Sequence, residues 1–265
     1  MKENRVKKLW DQGKPAVQAW SATGNAGIVE MLAHAGFDAV TIDWQHGLGV
    51  NQQTIVDCIR AMGSAPDVVP IVRLPKNEPD YISYVLDAGA YGIICPMVSN
   101  RKEAENFVQA CMYPPRGYRS YGPIRGLVYG GPDYADEANN EILKFAMIET
   151  KESLDNLDEI MQTPGLDGIY IGPADLSLAI GEKPSFDKPE GDPVYEVIMK
   201  ILEHAKKNKI IAGIQNAQPD YADKMIKKGF QLVTIGTDQR FMTAAAKAAL
   251  GIIRKDQKKD TGKGY

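Results

Sequence analysis

The sequence lacks a long apolar segment and has no dominant charge, and each shortage excludes a class of protein. No apolar run approaches the roughly 20 residues that a membrane-spanning helix requires. Residues 1–14 carry basic side chains with no apolar stretch behind them, so we expect no secretory signal. The 31 basic and 34 acidic side chains leave a net charge of −3, too little to hold nucleic acid or an anionic membrane surface. We therefore expect a cytoplasmic protein with neither kind of partner.

Cysteine is also scarce. The chain has only Cys58, Cys95 and Cys111, which form no Cys-x-x-Cys pair and leave an odd number. Reduced thiols are the simpler expectation for such a set. Hydrophobic residues make up 44% of the chain, which is enough for a packed core and excludes a disordered protein.

Short runs rich in Val and Ile recur along the chain without strict alternation of apolar and polar residues. Runs of this kind are typical of strands buried on both faces of a parallel sheet. The runs predict eight strands, at 15–20, 38–43, 68–73, 91–95, 144–149, 167–171, 210–214 and 231–235. Amphipathic stretches lie between them, among them 24–36, 78–88, 150–162, 193–207, 218–228 and 239–254.

Eight strands alternating with helices predict an α/β fold, a single (β/α)8 TIM barrel. A doubly wound open sheet would use fewer strands, and no Gly-x-Gly-x-x-Gly follows the first one. We expect one domain over residues 1–265, with a core of about 15–250. An N-terminal lead-in precedes the core and a charged tail, 255–265, follows it. The apolar, Ala-rich helix near the C-terminus is expected to take part in oligomerisation.

In this architecture the active site lies at the carboxyl ends of the strands. His46 follows the second predicted strand, Arg73 ends the third, Glu149 ends the fifth and Asp175 follows the sixth. Each could instead be structural: a turn residue for His46, an ion pair for Arg73 and a helix start for either carboxylate. Taken together, the two carboxylates can hold one hard divalent cation, because Mg²⁺ typically takes one or two carboxylates plus water and substrate oxygens.

Six motifs occur in the order in which they stand in one known family. They are IDWQHG, VRLP, LDAGAYGIICPMV, YPPRGYRSYGP, MIET and GPADLS. Over about residues 15–250 the chain resembles the HpcH/HpaI aldolases, which are class II, metal-dependent pyruvate aldolases. The resemblance implies reversible cleavage of a 4-hydroxy-2-oxo acid into pyruvate and an aldehyde.

The resemblance also implies roles for individual residues. Glu149 and Asp175 would bind the metal, Mg²⁺ first, with Mn²⁺ or Co²⁺ as substitutes. Arg73 would hold the keto oxygen of pyruvate, and His46 would be the acid/base group, oriented by Asp87. The pyruvate carboxylate would be received by the backbone of a short segment after the sixth strand, made up of Gly172, Pro173, Ala174 and Asp175. Family members form hexamers, trimers of dimers, through swapped C-terminal helices.

Two positions depart from the family pattern. Gln45 stands where the family commonly has Glu, and Met147 where it commonly has Gln. We expect an effect on metal preference from the first and on substrate range from the second. The long 113–126 loop carries Arg116, Arg119 and Arg125 and is either a solvated surface loop, a lid, or a contact with a neighbouring subunit that reads an anionic group on the aldehyde.

Competing functions remain open at this point. A Schiff-base aldolase needs a lysine at the carboxyl end of a strand, whereas Lys144 begins its strand and Lys183 lies in a loop. A phosphosugar isomerase lacks the second Gly-rich turn it would need after the seventh strand. A CoA-linked lyase of the same superfamily, resembling the β subunit of citrate lyase, is compatible with the same motifs, and so is a non-catalytic ligand-binding barrel.

Overall fold

A computed structural model describes residues 1–254, in which eight parallel strands pair in chain order and close into a barrel. The strands are β1 (Ala16–Ser21), β2 (Ala39–Asp43), β3 (Val69–Arg73), β4 (Gly92–Cys95), β5 (Leu143–Ile148), β6 (Gly168–Ile171), β7 (Ile211–Gln215) and β8 (Leu232–Thr237). The predicted (β/α)8 fold is confirmed, and every predicted strand is found within two residues at either end. The charged tail lies outside the described residues.

Thirteen helices occur in the described part of the chain. They are α1 (Arg5–Asp11), α2 (Ala26–His34), α3 (Gln52–Met62), α4 (Pro79–Asp87), α5 (Arg101–Cys111), α6 (Ile124–Gly130), α7 (Tyr134–Glu141), α8 (Lys151–Asp155), α9 (Leu157–Met161), α10 (Pro173–Ala179), α11 (Pro193–Lys207), α12 (Pro219–Lys228) and α13 (Asp238–Ile253). The predicted helix 150–162 is divided at Asn156, whose φ of −110° and ψ of 21° are non-helical and end one helix and begin the next. No helix within residues 1–254 is long and apolar enough to cross a membrane.

Alternate residues of each strand point into the barrel, because side chains of a β-strand change face at every residue. On β5 the inward residues Leu143, Phe145 and Met147 pack together inside the barrel, while Ala146 and Ile148 belong to the layer beneath the helices. Two positions beyond Met147, Glu149 continues the inward face. The same spacing carries β3 from Val69 and Ile71 to Arg73 and β2 from Ala39 to Asp43. The alternation of side chains along each strand therefore places these charged residues at the carboxyl ends of the strands, here called the mouth of the barrel.

The upper barrel interior is aromatic and polar rather than aliphatic. Trp20 stacks on Tyr170 with ring centroids 5.7 Å apart. The Tyr170 hydroxyl accepts from Gln18 Nε2 at 3.1 Å, donates to Gln215 Oε1 at 3.0 Å and lies 2.6 Å from Thr234 Oγ1. Buried polar groups need such partners, since an unsatisfied one costs about 1–3 kcal/mol. The network joins β1, β6, β7 and β8 across the barrel interior.

Closure of the barrel at the mouth depends on a buried carboxylate. Asp238, only 1% exposed, is the first residue of α13 and accepts from the Ser21 and Thr23 hydroxyls. It also accepts from the backbone N–H groups of Ala22, Thr23 and Gln239, at 3.0, 3.1 and 2.8 Å. The carboxylate thus links the end of β1 to the end of β8.

We expect Asp238→Asn to lower the free energy of unfolding by about 2–3 kcal/mol, because an amide NH₂ faces donors that previously met a carboxylate oxygen. Asp220→Asn is the matched control: Asp220 lies in the first turn of α12, is exposed, and should cost less than about 1 kcal/mol. Urea denaturation of both variants measures the difference. Equal losses would contradict the anchoring role of Asp238.

Candidate active site

A buried ion pair lies at the carboxyl ends of β2 and β3. These strands pair with Asp43 directly opposite Arg73, and Arg73 Nε and Nη2 donate to Asp43 Oδ1 and Oδ2 at 3.0 and 2.6 Å. Only 8% of Arg73 and 3% of Asp43 is exposed. Burial disfavours the ionised form of Asp43, but the hydrogen bonds and charge of Arg73 outweigh it and hold the pKa of the carboxyl below its usual value. The guanidinium is therefore fixed before any substrate arrives.

Trp20 supports the same pair from below. Its Nε1–H donates to Asp43 Oδ2 at 3.1 Å, and its ring centroid lies 5.0 Å from Arg73 Cζ. The backbone N–H groups of Gln45 and His46 both donate to Asp43 Oδ1 at 3.1 Å. Asp43 consequently holds both Arg73 and the segment that carries His46. The sequence prediction assigned no role to Asp43 or Trp20, although opposite charges at the ends of consecutive strands were a usable signal.

Glu149 follows β5 and is 3% exposed. Burial raises the pKa of its carboxyl to about 7; the negative charge of Asp175 adds to the rise, while the Met97 N–H and the charge of Arg73 oppose it. The Met97 N–H donates to Glu149 Oε1 at 2.8 Å. Met97 has a φ of 57°, a backbone conformation that residues other than glycine rarely adopt. No pattern in the sequence marked Met97 for this contact.

Asp175 lies in the first turn of α10, beside Glu149. β5 and β6 pair with Ile148 opposite Ile171, so Glu149 and Gly172 leave the sheet side by side. A Cβ atom at Gly172 would lie 2.7 Å from Glu149 Oε2, which only glycine avoids at this position. Pro173 has no N–H, so the expected carboxylate-binding backbone reduces to Gly172, Ala174 and Asp175. No side chain caps the start of α10, which leaves the first helical N–H groups available.

These two carboxylates have the chemistry of a hard-cation site. Within residues 1–254 neither Glu149 nor Asp175 forms an ion pair, and Glu149 accepts a hydrogen bond only at Oε1. No cluster of three or more His, Cys, Asp or Glu side chains suited to a metal occurs in the described ranges. Two carboxylates without a third protein ligand fit Mg²⁺, which keeps waters and substrate oxygens in its remaining positions.

The structure separates the two members of the expected dyad. His46 follows β2 at the mouth, is exposed, and has no side-chain hydrogen bond among the described residues. Asp87 ends α4, which runs about 13 Å back from the mouth toward the amino ends of the strands. There Asp87 accepts from Arg119 Nη2 at 2.7 Å. A dyad of His46 and Asp87 is therefore not formed within one chain, because the helix carries the carboxylate to the opposite end of the barrel.

The 113–126 loop lies at that opposite end as well, between the end of α5 and the start of β5. Arg119 is 3% exposed and packs 4.5 Å from the Tyr113 ring centroid, and Arg125 Nε donates to the Ala88 carbonyl at 2.9 Å. Arg116 Nη1 donates to Asn140 Oδ1 at 2.7 Å. The three arginines of the loop are therefore held away from the mouth of their own chain; a contact with a neighbouring subunit stays a prediction.

The structure also places the lysine, the two departures from the family pattern and the thiols. Lys144 is buried at the amino end of β5, 2.8 Å from Asp167 Oδ2, which is the wrong end of the barrel for a Schiff base at the mouth. Met147 is buried beneath Glu149, and its Cε lies 3.0 Å from where a Cβ of Gly172 would stand. The Gln45 side-chain oxygen is buried and has no hydrogen-bond partner in the described structure. Cys58, Cys95 and Cys111 are buried free thiols.

A closed (β/α)8 barrel whose mouth holds a fixed guanidinium and two adjacent carboxylates has the features of an enzyme active site. The sequence profile described as HpcH/HpaI aldolase/citrate lyase matches residues 17–245. The chain belongs to this family and is a carbon–carbon lyase.

Individual relatives support the assignment along almost the whole chain. A hydroxypyruvate/pyruvate aldolase of Rhizorhabdus wittichii is 37% identical over 252 residues, covering 95% of this chain and 99% of that protein. A 4-hydroxy-2-oxo-heptane-1,7-dioate aldolase of Escherichia coli is 34% identical over 250 residues, 93% of each chain. A crystal structure of a HpcH/HpaI aldolase/citrate lyase family protein from Burkholderia cenocepacia superposes with a TM-score of 0.87 at 27% identity, covering 94% of this chain and 98% of that one.

We expect Asp43→Asn to lower the free energy of unfolding at pH 7 by about 3–5 kcal/mol, since it leaves the Arg73 charge buried without its partner. Because the folded pKa of Asp43 is depressed, its contribution is complete above the unfolded value of about 3.9 and is lost as pH falls through the folded pKa. The difference between wild type and variant should therefore shrink below about pH 4.

Denaturant unfolding across this pH range tests the expectation. Asp57→Asn is the control, because Asp57 makes only exposed contacts, with Arg60 at 3.9 Å and with Gln53 Nε2 at 3.1 Å, and should cost less than about 1 kcal/mol. A difference between wild type and Asp43→Asn that stays constant down to about pH 2 would show that the ion pair is not its source.

Proposed function

We propose that this chain catalyses the reversible aldol cleavage of a 4-hydroxy-2-oxo acid into pyruvate and an aldehyde. The proposal rests on the convergence of Arg73, Glu149 and Asp175 at one mouth. The three groups are close enough that the charges of Arg73 and Asp175 both shift the pKa of Glu149. The aldolase names of the relatives support the reaction class. Cleavage of the C3–C4 bond of such an acid needs removal of a proton from the C4 hydroxyl and stabilisation of the negative charge that develops on the C2 oxygen.

Glu149 and Asp175 would hold the divalent cation, Mg²⁺ first and Mn²⁺ or Co²⁺ as substitutes. When bound, such a cation supplies a Lewis acid that polarises the oxo group of the substrate. The backbone N–H of Met97 fixes the Glu149 carboxylate through a hydrogen bond, and Gly172 lets the carboxylate approach the start of α10. The N–H groups of Ala174 and Asp175 would receive the substrate carboxylate, as helix starts commonly do for anions.

Arg73 would stabilise the oxygen on which negative charge develops. Two of its nitrogens are taken by Asp43, and Nη1 is the guanidinium nitrogen without a partner among residues 1–254. Asp43 therefore orients Arg73 and leaves one edge for the substrate. A fixed donor of this kind costs little reorganisation when charge develops, which is where such groups contribute most to rate.

His46 would move the proton of the C4 hydroxyl. Its backbone is held by Asp43, whereas its exposed imidazole has no partner within the described chain and so can reach a substrate hydroxyl. Histidine is the side chain that most often performs this transfer. Asp87 of the same chain lies too far along α4 to orient it, so a second residue for His46 would have to come from another subunit.

A CoA-linked lyase and a non-catalytic barrel predict different chemistry at the same mouth. The CoA-linked lyase would release an acyl thioester and not free pyruvate from a CoA-free substrate. The non-catalytic barrel would bind oxo acids without turnover. Pyruvate release from a panel of 4-hydroxy-2-oxo acids, followed with lactate dehydrogenase, separates both from the proposed aldolase and identifies the aldehyde class.

We expect excess EDTA to abolish pyruvate release and Mg²⁺, Mn²⁺ or Co²⁺ to restore it. Glu149→Gln and Asp175→Asn should remain inactive after metal is added, because an amide is a poorer ligand for a hard cation. Glu152→Gln, an exposed neighbour in α8, is the matched control and should respond like wild type. Full activity in excess chelator, or borohydride trapping of pyruvate on a lysine, would exclude the metal-dependent assignment.

The roles of Arg73 and His46 can be separated with two reactions. Arg73→Lys keeps a charge but cannot both pair with Asp43 and contact substrate, so it should lower kcat by about 10²–10³ in aldol cleavage and in oxaloacetate decarboxylation. His46→Ala should depress aldol cleavage by about 10²–10⁴. It should affect decarboxylation less, because oxaloacetate has no C4 hydroxyl proton to remove. Equal damage to both reactions in His46→Ala would contradict its assignment to that proton.

We also expect an oligomer of identical chains, a hexamer formed as a trimer of dimers. Asp238 is the only buried residue of α13, while Met242, Leu250, Ile252 and Ile253 are 48%, 48%, 65% and 83% exposed. A helix this apolar favours a partner surface. Light scattering at micromolar concentration measures the molar mass, and Leu250→Glu with Ile253→Glu should reduce it. Lys247→Glu, a charge change on the same helix, is the control; a wild-type monomer would contradict the expectation.

A further inference from the structure

A cavity of about 820 Å³ opens at the amino end of the barrel, away from the proposed reaction site. It is bounded by the lead-in helix α1, the end of α3, the first residues of β3 and one side of α6. Val69 and Pro70 of β3 line it, whereas Arg73 lies at the other end of that strand, about 13 Å further along. Small-molecule sites typically measure roughly 300–1,000 Å³, so the cavity has the size of a ligand site.

The walls of this cavity, here called the lower cavity, are mainly apolar. The lining side chains that belong to the hydrophobic core or pack against it are Leu9, Ile59, Met62, Val68, Val69 and Tyr91. Val128 and Tyr129 of α6 also line the cavity and are 73% and 43% exposed. An apolar body entering here would remove hydrophobic surface from water on both sides of the contact.

The rim carries more positive than negative charge. Lys2, Arg5, Lys8 and Lys14 line the cavity, against the carboxylates of Glu3 and Asp67. Glu3 already meets Lys8 at 2.7 Å, and Asp67 meets Arg5 at 3.6 Å. Among residues 1–254 no carboxylate lies within 4.0 Å of the amine of Lys2 or Lys14. Lys14 Nζ donates to the neutral Gln12 Oε1 at 3.1 Å, so the lower cavity has two ammonium groups whose charge is not paired with a carboxylate in the described residues.

We propose that the lower cavity is a second ligand site, for an amphipathic anion that carries one carboxylate or sulfonate on an apolar body. The apolar walls accept the body, and Lys2 and Lys14 attract the charged group. The site is separate from the aldolase mouth, since the two lie at opposite ends of the barrel strands. The proposal does not depend on the reaction assigned to that mouth.

Titration of the full chain with 1-anilinonaphthalene-8-sulfonate under native conditions tests the proposal. We expect saturable fluorescence, displaced by octanoate but at least on the order of tenfold less effectively by the uncharged 1-octanol. The double variant Lys2→Glu/Lys14→Glu should weaken binding on the order of tenfold or more. Lys102→Glu, an exposed charge change on α5, is the control and should bind like wild type.

Val68→Trp tests the volume of the cavity independently of charge, because a larger side chain occupies the space of the ligand. It should weaken binding while its unfolding midpoint and pyruvate release stay near wild type. Pyruvate with Mg²⁺ should not displace the probe. Binding that is non-saturable, unchanged in both variants, displaced by pyruvate, or displaced equally by octanol and octanoate would overturn the proposal.

Discussion

The mouth of this barrel depends on the bidentate pair between Arg73 and Asp43. Both groups are buried, and an unpaired charge at that depth would cost several kcal/mol, so neither can be removed without penalty to the other. Asp43 also accepts from Trp20 and from the backbone that precedes His46. One carboxylate therefore sets the orientation of the cationic group and of the segment bearing the proposed base, before any substrate binds.

Across the mouth from this ion pair, two carboxylates lie near each other without a paired cation among residues 1–254. Glu149 and Asp175 approach each other without a cation paired to either in the described residues, and burial raises the pKa of Glu149 to about 7. Binding of a cation at these two carboxylates would therefore stabilise the site. Gly172 allows the approach, and the Met97 backbone at φ of 57° aims the N–H that holds one carboxylate oxygen. Backbone geometry is thus as much a part of the candidate site as the side chains.

The two ends of the barrel have separate chemistry. Helices that follow the strands return to the amino end, where Asp87 ends α4 and meets Arg119 of the loop after α5. The lead-in segment before β1 brings the cations around the lower cavity to the same end. Residues that stand close to site motifs in sequence can therefore be a barrel length away in space. Such residues can contact a mouth only in another subunit. The exposed face of α13 provides an apolar surface for an assembly of that kind.

The sequence by itself determined the barrel and the order of groups around its mouth. Runs of Val and Ile located all eight strands, because strands buried on both faces tolerate few polar residues. Parallel strands expose their carboxyl ends on one side, so Arg73, Glu149 and Asp175 could be assigned to one site from position alone. Only the tertiary structure decided their partners. The pairing of Asp43 with Arg73 depends on register between strands, the contact of Met97 with Glu149 depends on an uncommon backbone angle, and the separation of Asp87 from His46 depends on the direction of α4. Local sequence patterns report which residues are buried and in what order, but a hydrogen bond is decided by distances of a few tenths of an ångström between segments far apart in the chain.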